Sequence, residues 1–306
     1  MKISAFVLPV IVALSACQTA PGVVPRPSAV TTIPFEFRKN EIILQATPAG
    51  GAPLSFMLDT GVDPSAIDTA VAESLGVSVD ASIVGQAAGT GDGQGLDVMP
   101  AMLPSLTIGG TDFPPIEALA ADLSGFGAAL DLDLAGILGH SFLEGRVLRI
   151  DYAAQRIDIA GSRADLPAPV TPVSRAYSVP FDFVSEEDPT PVFDVVIKGQ
   201  PVRVSLDTGS SGGLELFADV TERLGLASVA EAGADAQALG ARGERSLKRS
   251  TLENVQVGPF TLPELDVRFS DHEAVATERE GNSGNRLFSH FVLTLDYVTH
   301  EIVFEQ

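Results

Sequence analysis

Pro53-Leu54-Ser55-Phe56-Met57-Leu58-Asp59-Thr60-Gly61 and Pro201-Val202-Arg203-Val204-Ser205-Leu206-Asp207-Thr208-Gly209 are one pattern written twice. Each is a β-prone run that leads directly into Leu-Asp-Thr-Gly. A lone Asp-Thr-Gly is a common turn sequence and carries little information. Its return at the same place in a larger repeat carries much more. Working outward, Ile33-Pro34-Phe35-Glu36-Phe37 is echoed by Val179-Pro180-Phe181-Asp182-Phe183, and Leu106-Thr107-Ile108-Gly109 by Val255-Gln256-Val257-Gly258. Val147-Leu148-Arg149-Ile150-Asp151-Tyr152 is echoed by Val292-Leu293-Thr294-Leu295-Asp296-Tyr297. The echoes keep their order and nearly keep their spacing, so the chain holds two copies of one unit, expected over 33–161 and 179–306. The proline-bearing stretch 162–178 reads as the linker.

Short β-prone runs bounded by turn residues predict an all-β architecture, two-lobed, with a few short helices. Gly50-Gly51 and Lys198-Gly199-Gln200 supply hairpin turns. One helix is expected after each Asp-Thr-Gly, over Ala66–Leu75 and Leu216–Leu224, stopped by Gly76 and Gly225.

Two equivalent turns related by a pseudo-twofold axis bring Asp59 and Asp207 face to face. Two carboxyls about 3 Å apart cannot both ionise and share one proton. The ionised member can take a proton from water while the protonated member hydrogen-bonds a substrate carbonyl. Gly61 and Gly209 permit the close approach, and the Thr60 and Thr208 hydroxyls are placed to cross-brace the turns.

These residues resemble the aspartic peptidases, both pepsin-like and retroviral, and most closely bacterial retropepsin-like proteins with two fused units. The resemblance spans about residues 33–306. It implies an aspartic endopeptidase that needs no cofactor and no metal, whose site a monomer completes. It also implies a flap hairpin in each lobe. These are expected at the glycine-rich stretch 85–98, with Gly89, Gly91 and Gly93, and around 236–248, with Gly240. An apolar-apolar-Gly turn follows in such enzymes. The first copy has Ile137-Leu138-Gly139, but the second has Asn282-Ser283-Gly284, which predicts looser support beneath Asp207. Ser210 stands where pepsin-like members hydrogen-bond the carboxylate by a hydroxyl. Val62 stands there in the first copy, so the two carboxyls are expected to be inequivalent. Retroviral enzymes pair an acid after the active-site glycine with a base after the later turn, which predicts an Asp63–His140 pair and a Ser211–Asn285 contact. A non-catalytic lipoprotein of the same fold, binding peptides or envelope partners, is the rival reading.

The net charge of −21 and the absence of Trp exclude a phosphate-backbone partner. The acidity reads as a solvated surface, or as a rim for basic substrates. Residues 1–16 carry Lys2 and an apolar run from Ile3 to Leu14, too short to span a bilayer. They end in Leu14-Ser15-Ala16 before Cys17, the sole cysteine, and resemble a bacterial lipoprotein signal. That resemblance implies lipidation at Cys17, a tether over 17–32, and, from Gln18, an outer-membrane anchor facing the periplasm.

Overall fold

The structure is a computed structural model that describes residues 30–271 and 279–306. The expected signal, Cys17 and nearly all of the tether lie outside the described residues. The first strand among the described residues, Thr31–Arg38, begins two residues inside the stretch read as tether. Its residues alternate buried and exposed from Thr31 to Glu36, the period of a strand with one face on a core. The linker is also shorter than expected. Ala176–Pro180 already forms a strand, paired from Ala176↔Glu305 to Pro180↔Glu301.

Strands dominate, as the sequence predicts, and a few short helices sit among them. A run of six antiparallel strands binds the copies together, in the order Ala176–Pro180, Glu301–Glu305, Val292–Asp296, Val147–Asp151, Arg156–Ala160, Thr31–Arg38. Its central pair joins equivalent strands of the two copies. Val147 faces Asp296, Arg149 faces Thr294 and Asp151 faces Val292. That register is symmetric about Arg149 and Thr294, so the pseudo-twofold axis passes between them.

Each lobe then places its Asp-Thr-Gly strand next to a parallel neighbour. Leu54–Leu58 pairs with Leu134–Leu138, and Gln200–Leu206 pairs with Gly281–Ser283. Leu134–Leu138 is buried along its whole length, as a strand covered on both faces must be.

The helices after the Asp-Thr-Gly turns are shorter than predicted. Ser65–Asp68 and Leu214–Leu216 are strands, and helix occupies only Thr69–Ser74 and Ala218–Arg223. Asp68 sets the first boundary. Its extended backbone puts Oδ1 on the Ala70 and Val71 amides at 2.9 and 3.2 Å, while Oδ2 accepts from Leu123 N at 3.0 Å. An N-cap of this kind fixes where the helix starts.

Candidate active site

The parallel strands aim the two aspartates. Asp59 N donates to Leu138 O and Asp207 N to Ser283 O, both at 3.0 Å. One turn later His140 N donates to Val62 O and Asn285 N to Ser210 O, both at 2.8 Å. Asn282-Ser283-Gly284 therefore makes the same backbone bonds as Ile137-Leu138-Gly139. The support expected to be looser is equivalent.

The threonines lock the two turns to each other. Thr60 Oγ1 donates to Leu206 O at 2.7 Å and Thr208 Oγ1 to Leu58 O at 3.0 Å. Each hydroxyl also accepts the other threonine's amide, both at 3.0 Å. All four bonds cross from one lobe to the other, and both threonines are buried. Between them the carboxyls of Asp59 and Asp207 come within hydrogen-bonding range. Gly209 must lack a side chain here, since a Cβ on it would lie 2.1 Å from Asp59 Oδ2.

The pair is electrostatically unequal. Asp59 accepts Gly61 N at 2.7 Å. Its pKa stands well above the usual carboxylate value because of burial first and the Asp207 charge second. Asp207 accepts Gly209 N at 2.9 Å and Asn282 Nδ2 at 2.7 Å. Burial raises Asp207 as well, but the Asn282 donor, Asp59 and Arg279 oppose the rise. Behind Asn282, Ser205 Oγ donates to Asn282 Oδ1 at 2.6 Å, and Arg279 Nη1 donates to Ser205 Oγ at 3.1 Å. The chain Arg279–Ser205–Asn282 thus ends on Asp207. Charge is favoured on Asp207 and the shared proton on Asp59.

Inequivalence was expected, but through Ser210, and that assignment needs correction. Ser210 N donates to Asp207 O at 3.2 Å, but its hydroxyl makes no hydrogen bond to the Asp207 carboxyl and lies instead against Gly284, 2.8 Å from where a Cβ would be. Asn282 is the residue that sequence reasoning missed as a donor.

The Asp63–His140 pair also needs correction. No hydrogen bond or ion pair joins them. The His140 ring turns into an aromatic cluster, edge-on to Phe183 at 5.5 Å and to Tyr297 at 5.8 Å, and its buried Nδ1 has no hydrogen-bond partner among the described residues. Burial lowers the His140 pKa, with the Asp63 charge opposing, and raises that of Asp63, with His140 opposing. A neutral imidazole suits those aromatic neighbours. Asn285 does not meet Ser211 either. It accepts Tyr152 Oη at 2.8 Å and donates to Thr208 O at 2.7 Å and Glu41 Oε2 at 3.2 Å. The residues His140 and Asn285 therefore reach across the axis, each to the tyrosine of the opposite lobe. Glu41 is a third buried carboxyl near the pair. Burial pushes its pKa well up, and Asp207 and Asp59 push it further.

The flap segments meet tip to tip. Gly85–Gln86 pairs with Asp97–Val98, and Ala234–Gly240 pairs with the strand that starts at Gly243. Across the lobes, Gly93 N donates to Arg242 O at 2.8 Å, Arg242 N to Thr90 O at 2.9 Å and Leu96 N to Ala241 O at 3.0 Å. Gly89, Gly91, Gly93 and Gly240 all lie at this contact. A Cβ on Gly91 would stand 2.4 Å from Arg242 C, and one on Gly240 2.3 Å from Thr90 O.

Comparison with known families matches this chain to the family described as aspartyl protease, over residues 45–142 and again over 193–286. The two matches fall one on each copy, and each includes one Asp-Thr-Gly. A search of curated proteins found no match.

Proposed function

Because the chain belongs to the aspartyl protease family, we propose that it is an endopeptidase that hydrolyses peptide bonds through Asp59 and Asp207. The observation that carries this reading is the pair itself: two carboxyls within hydrogen-bonding range, held by four cross-lobe threonine bonds. Asp207 is the general base, because Asn282 and Gly209 donate to it and stabilise its charge. Water between the carboxyls loses a proton to Asp207 as its oxygen attacks the peptide carbonyl carbon. Asp59, which holds the shared proton, hydrogen-bonds the carbonyl oxygen where charge develops. Collapse of the tetrahedral intermediate expels the amine, which leaves with a proton from the pair. The joined flap tips roof the substrate. The test is cleavage of a random peptide library by the full-length chain. No cleavage at any pH between 3 and 7 (roughly the window of a carboxyl pair) would overturn the reading.

Asn282→Leu probes the asymmetry. The amide lowers the Asp207 pKa, so its loss raises it. Activity needs one ionised carboxyl, so the acidic limb of the pH–rate profile should move to higher pH by about one unit, with KM little changed. An unmoved acidic limb would remove Asn282 from the mechanism.

The same proposal places the enzyme in the bacterial cell envelope, lipid-anchored at Cys17. The sequence around Cys17 supports this. Labelled palmitate should enter the wild-type chain and not Cys17→Ser; equal labelling of both would reject the anchor.

A further inference from the structure

The sheet face that carries Asp207 differs in chemistry from the face that carries Asp59. Directly paired residues of neighbouring strands share a face. In the first lobe one such row runs Met57, Ile137, Ala66, Leu119, Pro100. The equivalent row of the second lobe runs Ser205, Asn282, Glu215, Arg268, Arg249. Every apolar position of the first row is polar or charged in the second. Asn282 reaches Asp207, so this row adjoins the candidate active site.

Most of the charges in it are already matched. Arg245 holds Glu215 with both guanidinium nitrogens, Nη1 at 2.6 Å from Oε1. Asp266 holds Arg249 at 2.5 Å. Arg268 is different. Among the described residues the one hydrogen bond of its side chain is a long one, Nη2 to Ser211 Oγ at 3.4 Å, and no carboxylate lies within ion-pair distance. The guanidinium is half-buried against the loop that follows Asp207. A Cβ on Gly212 would be 3.1 Å from Arg268 Cζ, so the glycine makes room for it. Arg268 and both aspartates lie within electrostatic reach of the same buried Glu41. Asp266 and Glu215 favour the Arg268 charge from longer range, but both are already bonded to other arginines, so among the described residues this partly dehydrated guanidinium beside the candidate site has no ion pair of its own and can take an anionic group from a bound peptide.

We propose that Arg268 forms a subsite for a carboxylate side chain, Asp or Glu, of the bound peptide on the second lobe's side of the scissile bond. In the first lobe the equivalent Met57, Ile137 and Ala66 are buried in an apolar cluster with Leu123, Leu130 and Leu134. The inference rests on the dyad reading for the position of the peptide. A guanidinium takes a carboxylate through two parallel hydrogen bonds, and partial burial strengthens the pair.

Two measurements separate this inference from the parent reading. The first is library cleavage by the full-length wild type, Arg268→Gln and Arg268→Glu. The expected result is Asp or Glu enrichment at one position near the cut, lost in Arg268→Gln and replaced by Lys or Arg in Arg268→Glu. For a matched Glu/Gln substrate pair, wild type should favour Glu in kcat/KM by about tenfold or more, and Arg268→Gln should not. The second is binding of uncleavable reduced-amide peptides that differ only by Glu or Gln at each position. Tighter binding of one Glu peptide, abolished in Arg268→Gln and weakened by salt, supports the subsite even if no peptide is cut; that combination would overturn the dyad reading alone. Equal binding of Glu and Gln peptides at every position, or an acidic preference that survives in Arg268→Gln, overturns the subsite.

Discussion

Asp59→Asn and Asp207→Asn are each expected to lower the rate of peptide cleavage by about a thousandfold or more, the scale of losing a positioned acid or base, while the fold becomes no less stable at neutral pH. The second half of this expectation follows from linkage. Both aspartates have folded-state pKa values above the ordinary 3.8, through burial first in each case. An acid raised in the folded state contributes fully to stability below its unfolded pKa, and that contribution is lost as pH rises through the folded value. At pH 7 the pair therefore weakens the fold. Asn keeps a side-chain oxygen for the Gly61 or Gly209 amide but carries no charge. Melting curves at pH 7 should give each variant a Tm equal to or above wild type, with the gap closing toward pH 4. Activity lost together with a clearly lower Tm would point to unfolding instead, and undiminished cleavage by either variant would place the chemistry elsewhere.

The pair was legible in the sequence because the repeat marks it twice and because an Asp-Thr-Gly turn is built from local residues. What surrounds it was legible to different depths. Asn282 could be aligned with Ile137, and so it read as a defect. Its role depends on the strand Gly281–Ser283 lying beside Gln200–Leu206, which brings its amide to Asp207; nothing local to Asn282 signals that. The Asp63–His140 pair failed for a related reason. Charge complementarity between two turn positions says nothing of the aromatic surroundings that Phe183 and Tyr297 of the other lobe provide for the imidazole. The helix boundary was recoverable, since Asp68 followed by Thr69-Ala70-Val71 has the form of an N-cap. The meeting of the flap tips was not, because its bonds run mainly between backbone atoms and any small-residue tip would look the same. The mismatch between Ala66 and Glu215, or Leu119 and Arg268, is visible only once strand register says which residues are equivalent.

Thr208→Val should be among the most damaging single changes that leave both carboxyls in place. Valine matches threonine in shape, so packing is nearly conserved and the effect isolates the hydroxyl. That hydroxyl donates to Leu58 O and accepts from Thr60 N, each at 3.0 Å, in a fully buried setting. Removing it leaves one carbonyl and one amide without these partners, at about 1–3 kcal/mol each, or about 2–6 kcal/mol together. For a body of this size the fall in Tm should be on the order of 5–15 °C. Thr208→Ser keeps the hydroxyl and should cost less than about 1 kcal/mol. The same bonds set the position of the adjacent Asp207 against Asp59, so kcat should fall in Thr208→Val and largely recover in Thr208→Ser. Thr60 holds the mirror-image bonds to Leu206 O and Thr208 N. Thr60→Val should therefore cost about as much as Thr208→Val, and the double variant less than the sum, because loosening either turn already relaxes the other. Equal stability of Thr208→Val and wild type, by chemical denaturation at one pH, would mean that the lobes are held in place by their shared six strands and that the threonine cross-brace adds nothing.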